Sequence, residues 1–161
     1  MIRLSASTGL NLYNQCQRCF WKHHKNSNPR PRGIFPSLPS GMDGVIKTYY
    51  DKYRGKLPPE LEGQVDGVLF QDQHMMDLWR NWKTGMEYRD AKRQAMLFGA
   101  LDECLVDEDT FIPLDYKTKG SKPSAGDSER YYQTQLDVYS LLLKSSGRKV
   151  GNHAFLVYYT P

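Results

Sequence analysis

The sequence of 161 residues predicts an α/β fold in which a central mixed β-sheet is flanked by helices. Two observations support this class. Apolar residues recur at helical spacing in some segments and alternate with polar residues in others, so both helices and strands are expected. The predicted order is a helical entry followed by strand, strand, helix and strand. The length suits one domain, residues 1–161, with a genuine core.

The composition is that of an ordinary globular protein, with 39% hydrophobic and 25% charged residues. No apolar run approaches the length of about 18 residues that a membrane span requires, and the N-terminus does not resemble a signal peptide. We therefore expect a cytoplasmic protein without a membrane partner. Three cysteines, an odd number, argue against a disulfide framework.

The first third of the chain is predicted to be mainly helical. Ser5, Ser7 and Thr8 are suitable N-cap residues for a short helix that begins near residue 8. Residues 26–41 are rich in proline and glycine, and we expect an irregular loop there. Residues 42–53 are predicted to form a helix, because their apolar residues follow helical spacing.

The remaining elements follow from similar patterns. We expect a short strand near residues 65–70 and a helix over residues 71–89. A hairpin follows, with strands at 95–106 and 111–116 joined by an acidic turn. A polar loop, a helix and a last strand complete the prediction, at residues 120–127, 128–144 and 153–159.

The charge is distributed unevenly. Residues 1–60 carry ten Lys and Arg against three Asp and Glu, whereas residues 61–161 carry twelve against fifteen. A basic segment beside an acidic site suits a polyanionic substrate such as nucleic acid. A solvated basic face is the alternative.

Two carboxylates in the predicted hairpin form the candidate site. Asp102 and Asp115 would lie on neighbouring strands, where paired side chains are about 4.5–5.5 Å apart. Carboxylates this close repel each other unless a cation lies between them. Lys117 projects to the same face as Asp115, because strand side chains alternate. The pattern predicts a divalent-metal hydrolytic site, although an exposed Asp and Lys at a strand end is the alternative.

Such a site suits phosphodiester hydrolysis, which needs an activated water and a neutralised leaving oxygen. Asp102 and Asp115 would be direct metal ligands, and the backbone carbonyl of Tyr116 would add a third oxygen. Lys117 would orient or deprotonate the water and stabilise the transition state. Oxygen ligands favour Mg²⁺ or Mn²⁺ over Zn²⁺.

Four short motifs in order resemble those of a known superfamily. They are Ser5-x-Ser7 with Tyr13-x-x-Cys16-x-Arg18, then Gly99-x-x-Asp102, then Asp115-Tyr-Lys117-Thr118, and then Gln135-x-x-x-Tyr139. The pattern resembles the PD-(D/E)XK nuclease superfamily, and within it the RecB-type nuclease domains and CRISPR-adaptation nucleases. The resemblance spans residues 5 to about 143.

The resemblance implies a metal-dependent DNA nuclease with a restriction-endonuclease-like core. Residues 1–60 would form a basic helical entry segment, and residues 61–161 the catalytic core. Asp102, Asp115 and Lys117 take the catalytic positions. Gln135 and Tyr139 take the accessory positions beside the active site, although a surface-facing Gln135 is the alternative.

The chain departs from this family in its metal ligands and cysteines. Many RecB-type domains carry a metal-binding histidine on the helix after the first loop, where this chain has Asp43 and no histidine. Asp43 is a candidate oxygen ligand, and a helix N-terminal residue that suits the dipole is the alternative. Family members that hold an iron–sulfur cluster have a cysteine at the position of Cys16 and need three more near the C-terminus. In this chain no cysteine follows Cys104. Cys16-x-x-Cys19 is only half of a zinc motif.

We expect an exonuclease or single-strand nuclease that acts on DNA in recombination, repair or phage DNA processing. Nothing in the sequence resembles a base-reading module. A non-catalytic nucleic-acid-binding protein that keeps the nuclease fold is the alternative. A third possibility is a subunit that works with a helicase or recombination partner.

Overall fold

The computed structural model describes residues 1–25, 31, 33 and 37–160. It is an α/β fold with helices packed against mixed β-sheets, which confirms the predicted class. The strands are β1 (Ile2–Leu4), β2 (Val68–Leu69), β3 (Met86–Asp90), β4 (Ala95–Gly99), β5 (Glu103–Asp107), β6 (Thr110–Thr118), β7 (Lys149–Val150) and β8 (Phe155–Tyr159). The α-helices are α1 (Leu12–Gln15), α2 (Gln17–Lys25), α3 (Ser37–Tyr50), α4 (Gln73–Arg80) and α5 (Asp127–Ser145).

The strands form two sheets rather than one central sheet. The smaller sheet has the order β1-β4-β3, with β1 parallel and β3 antiparallel to β4. In the larger sheet, β5 pairs antiparallel with β2 and β6, while β7 and β8 pair parallel with β6. The nine-residue β6 is therefore the central strand of the larger sheet.

Side chains alternate along β6 between two apolar clusters. Phe111 packs on the side of α4 and α5, in a cluster with Trp79 and Leu142. Ile112, Leu114 and Tyr116 pack on the side of α3, in a cluster with Ile46 and Tyr50. Asp115 and Lys117 have the parity of Phe111, so they project towards α5.

The predicted single strand over residues 95–106 is wrong. It is two strands, β4 and β5, which belong to different sheets, and residues 100–102 cross between them. The end of α4 explains the interruption. The Leu101 N–H donates to the Trp79 carbonyl at 2.9 Å, and Arg80 Nε donates to the Asp102 carbonyl at 2.9 Å. These backbone groups are thus bonded outside a strand ladder.

The predicted helix over residues 71–89 is wrong in its second half. Asp72 caps α4 by accepting from the Met75 N–H, but the helix ends at Arg80 and β3 follows. A turn lies between them, in which Asn81 Oδ1 accepts from the Lys83 N–H. Gly85 fits there because a Cβ at this position would lie 2.5 Å from the Gly99 carbonyl oxygen.

Part of the predicted irregular segment 26–41 is helical. Residues 37–41 belong to α3, with Pro39 in its first turn, where proline needs no hydrogen-bond donor. Residues 26–30, 32 and 34–36 lie outside the described residues.

The N-terminal helical segment begins slightly earlier than predicted, with a π-helical turn, Ala6–Asn11, in which Ser5 accepts from the Thr8 N–H. The strands β1, β3 and β7 were not predicted from the sequence. The helices expected at 42–53 and 128–144 and the strands expected near 65–70 and 153–159 correspond to α3, α5, β2 and β8. Within the described ranges, no helix is both long enough and apolar enough to cross a membrane.

Candidate active site

The candidate site lies where β5 ends and β6 continues. Glu103 pairs with Leu114 at the last step of the β5–β6 ladder, and β6 then extends to Thr118 alongside β8. One further step in this register sets Asp102 opposite Asp115. The strand pairing begins only at Glu103, which leaves a notch in the sheet with the predicted carboxylates Asp102 and Asp115 on its two sides.

Asp115 is the buried centre of the site, with no exposed surface. Gln135 Nε2 donates to its Oδ1 at 3.2 Å, and Lys117 Nζ lies 2.5 Å from its Oδ2. Burial and, to a smaller extent, the charge of Asp102 raise the pKa of Asp115, and the Lys117 ammonium lowers it, with a net pKa of about 7. The carboxylate is thus costly to ionise without a further cation.

Lys117 lies on the same face of β6 as Asp115, as predicted. Its side chain is 22% exposed, so it connects the buried carboxylate with solvent. The ammonium also lies 5.1 Å from the centre of the Tyr132 ring, within the range of a cation–π interaction. Tyr132 on α5 thereby helps to fix where the lysine points.

Gln135 and Tyr139 are one turn apart on α5 and act together. Gln135 Nε2 lies 2.6 Å from the Tyr139 hydroxyl as well as within reach of Asp115. Burial, followed by the charges of Asp102 and Asp115, raises the pKa of Tyr139 well above its usual range, so the hydroxyl stays neutral. The alternative of a surface-facing Gln135 does not match this inward orientation.

Lys47 connects Asp43 on α3 with Asp102, and it was not predicted as a site residue from the sequence. Lys47 Nζ donates to Asp43 Oδ2 at 2.8 Å and lies 3.2 Å from Asp102 Oδ1. Burial disfavours its charge, but the charges and hydrogen bonds of Asp102 and Asp43 outweigh burial and raise the pKa of Lys47. The only sequence signal was the i,i+4 spacing of Asp43 and Lys47 on a helix.

A buried ionic network positions Asp102. Glu103 has no exposed surface, and its carboxylate accepts from Arg54 at 2.7 Å through each oxygen and from Arg80 at 2.9 Å. Both arginines also bond Asp51, and Arg80 Nε donates to the Asp102 carbonyl. This network was not predicted from the sequence, although a charged Glu103 at the start of an apolar strand was a signal.

Tyr116 faces the opposite side of β6 from Asp115. Its ring packs edge-to-face on Tyr50 with centroids 5.6 Å apart, and among the described residues its buried hydroxyl has no hydrogen-bond partner. Burial raises the pKa of this hydroxyl well above its usual range. The proposed role of the Tyr116 backbone carbonyl as a metal ligand stays a prediction.

A cleft of about 200 Å³ opens onto the site. It is lined by residues of α3, β6 and the β4–β5 crossing, namely Pro39, Asp43, Ile46, Asp102, Tyr116, Lys117 and Thr118. The cleft therefore brings together four of the residues predicted from sequence, Asp43, Asp102, Tyr116 and Lys117. Asp115 does not line the cleft, but it contacts Lys117 and lies opposite Asp102 in the β5–β6 register.

The residues present fit a divalent cation with an incomplete protein shell. Asp115 Oδ2 is buried and, among the described residues, accepts no hydrogen bond, since Lys117 approaches it without hydrogen-bond geometry. Asp102 offers a second carboxylate nearby. The described part of the chain contains no group of three His, Cys, Asp or Glu side chains placed to hold a metal. Mg²⁺ commonly binds through one or two carboxylates together with water and phosphate oxygens.

Cys16 and Cys19 lie at the start of α2 with their sulfur atoms 2.6 Å apart, and the Cys19 N–H donates to Cys16 Sγ. Cys104 is buried beside the site. The expectation that these cysteines carry no zinc or iron–sulfur centre stays a prediction.

Comparison of the chain with protein-family models, with curated proteins and with solved structures finds no significant match.

Proposed function

We propose that this protein is a Mg²⁺- or Mn²⁺-dependent nuclease of the PD-(D/E)XK type that hydrolyses phosphodiester bonds of DNA in the cytoplasm. The observation that carries the proposal is the environment of Asp115. This buried carboxylate has Lys117 at 2.5 Å, Gln135 at 3.2 Å and Asp102 one register step across the notch. Two carboxylates can hold a divalent cation and a neighbouring ammonium can stabilise negative charge, which suits metal-assisted hydrolysis.

Each side chain has a role consistent with its contacts. Asp102 and Asp115 would hold the cation, with Asp43 and the Tyr116 carbonyl as further oxygen donors. The bound cation would polarise the phosphate and lower the pKa of a water molecule. Lys117, at the border between the carboxylate and solvent, would orient that water and stabilise negative charge in the transition state. Gln135, supported by Tyr139, keeps Asp115 oriented.

Exposed aromatic residues on the basic entry segment favour single-stranded DNA or DNA ends as the substrate. Tyr13 is 47% exposed and Trp21 is 54% exposed. Arg18, Lys22 and Lys25 lie beside them on α2. Aromatic side chains among cationic ones suit base stacking and backbone contact with single strands.

Incubation with end-labelled linear, circular and single-stranded DNA, with and without Mn²⁺, tests the proposal. We expect Mn²⁺-dependent cleavage that Asp115→Asn and Lys117→Ala abolish, while both variants still bind DNA. Asp109→Asn and Lys149→Ala are matched controls, because this ion pair lies exposed at the other end of β6. Cleavage that survives in either active-site variant would refute the proposal.

A non-catalytic nucleic-acid-binding protein is the second candidate, and one observation favours it. Asp115 already pairs with Lys117, and Asp43 and Asp102 already pair with Lys47. Calorimetric titration with Mn²⁺ distinguishes the candidates, since a binder without catalysis shows no metal binding that depends on Asp102 and Asp115. Copurification tests whether a helicase or recombination partner is required.

A further inference from the structure

Lys47 lies between two carboxylates that line the cleft, those of Asp43 and Asp102. Its Nζ lies 2.8 Å from Asp43 Oδ2 and 3.2 Å from Asp102 Oδ1. The side chains of Lys47 and Asp102 are 25% and 22% exposed, so solvent weakens this bridge only in part. The ammonium is therefore the cation that balances Asp102 in the described structure.

A divalent cation bound to Asp102 would share its carboxylate with the Lys47 ammonium, which lies 3.2 Å from Oδ1. Two cations that share one carboxylate repel each other at short range. Lys47 has a flexible four-carbon stem, and its Nζ can move several ångströms while α3 stays in place. Displacement of Nζ from Asp102 is therefore compatible with an unchanged backbone.

We propose that Lys47 is the internal counter-ion of this site, which a divalent cation displaces from Asp102 so that its ammonium becomes free to bind a phosphate oxygen of the nucleic acid. This inference rests on the proposed nuclease function and adds a substrate-positioning residue to it. Lysine is a common phosphate ligand as a mobile point charge. The cleft lined by Asp43 and Asp102 gives a phosphate access to the released ammonium.

The exchange couples metal binding to substrate binding. A metal ion that displaces Lys47 makes a positive charge available to DNA. DNA that binds Lys47 in turn frees Asp102 for the metal. Thermodynamic linkage requires that each ligand strengthen the other by the same factor.

Calorimetric titration with Mn²⁺ in the absence of DNA tests the competition. Lys47→Met and Lys47→Gln keep most of the length of the side chain and remove its charge. Two variants are used so that misfolding of one does not leave the proposal untested. We expect both to bind Mn²⁺ about tenfold more tightly than the wild type, a change of about 1.4 kcal/mol. Lys119→Met is the matched control, because Lys119 lines a neighbouring cavity that shares Pro39 and Thr118 with the cleft, and it pairs with Asp127 at 3.1 Å.

Binding of a phosphorothioate oligonucleotide that resists cleavage tests the coupling. The wild type should bind it more tightly when Mn²⁺ is present. In Lys47→Met we expect this Mn²⁺-dependent gain to be smaller by about threefold or more, because the released phosphate ligand is missing.

The outcomes separate this inference from the proposed function. Unchanged Mn²⁺ affinity in both Lys47 variants, or an equal change in Lys119→Met, would overturn the inference and leave the nuclease proposal standing. If the wild type binds no Mn²⁺, or if Asp115→Asn does not reduce its Mn²⁺ binding, the nuclease proposal fails and the inference fails with it. Tighter Mn²⁺ binding in the Lys47 variants together with weaker coupling to DNA supports both.

Discussion

The side-chain amide of Gln135 donates a hydrogen bond to Asp115 Oδ1 over 3.2 Å, and this contact joins α5 to the central strand β6. Asp115 is fully buried, so no bulk water replaces a lost donor at its carboxylate. Any shift of α5 along its axis would therefore alter the orientation of the carboxylate at the centre of the candidate site.

Replacement of Gln135 by leucine should destabilise the protein and weaken metal binding. The change removes a donor from a buried carboxylate, which costs about 1–3 kcal/mol. We expect the free energy of unfolding in urea to fall by this amount, and the Mn²⁺ affinity to fall about tenfold or more, as when a ligand loses its orienting partner. Gln133→Leu is the control, because Gln133 is exposed on the same helix and bonds Asp137. Equal effects in the two variants would contradict the assigned role.

Glu103→Gln should be among the most destabilising conservative changes in the chain. Two largely buried arginines depend on this carboxylate, and removing one partner of a buried ion pair costs about 3–5 kcal/mol. Urea unfolding of the metal-free protein measures the loss. The same substitution at Glu87, which pairs with Arg89 on the surface, should leave the unfolding midpoint nearly unchanged. A Glu103 variant as stable as the Glu87 variant would show that the network does not stabilise the fold.

The stability of the metal-free protein should depend on the ionisation of Asp115. Burial raises the pKa of Asp115 to about 7, so the folded state holds this proton more tightly than the unfolded state. Relative to Asp115→Asn, the wild type should therefore lose stability as the pH rises from about 4 to about 8, by about 2–4 kcal/mol. Urea unfolding in a chelator at several pH values measures the difference.

Asp109 provides a control of opposite sign for this pH dependence. Lys149 holds the pKa of the exposed Asp109 below its usual range, so ionised Asp109 favours the folded state. Relative to Asp109→Asn, the wild type should gain stability as the pH rises through about 4. A difference between wild type and Asp115→Asn that is flat, or that rises with pH, would contradict the buried environment of Asp115.

Gly99→Ala should destabilise the contact between β4 and α5. An added Cβ would lie 2.9 Å from Leu142 Cδ1 and 3.6 Å from the Tyr139 ring. Leu142 is fully buried, so we expect a cost of about 1–3 kcal/mol and a lower melting temperature. Gly44→Ala, in α3 with nothing within 4 Å of an added Cβ, should instead raise the melting temperature. A rise in both variants would mean that α5 is not packed tightly on β4.

The sequence predicted those features that depend on local patterns. The helical spacing of α5 and the alternation in β8 identified both elements. The register that sets Asp102 opposite Asp115 followed from the hairpin, because β5 and β6 are joined by a tight turn. The placement of Lys117 followed from strand alternation.

Features that depend on distant contacts were not predictable in this way. The break between β4 and β5 is imposed by hydrogen bonds from Arg80 and to Trp79, which are residues of another element. Lys47 lies far from Asp102 in the sequence, and only the packing of α3 against the larger sheet brings them together. The paired arginines at Glu103 likewise come from separate segments.

The net charge of the groups around the notch changes sign when a divalent cation binds. Asp43, Asp102 and Asp115 with Lys47 and Lys117 leave one net negative charge when all five groups are ionised. A phosphodiester, itself an anion, is repelled by that balance. One divalent cation changes the balance to one net positive charge, and the same notch then attracts the phosphodiester. The protein would thus discriminate against DNA at this notch until a metal ion has arrived.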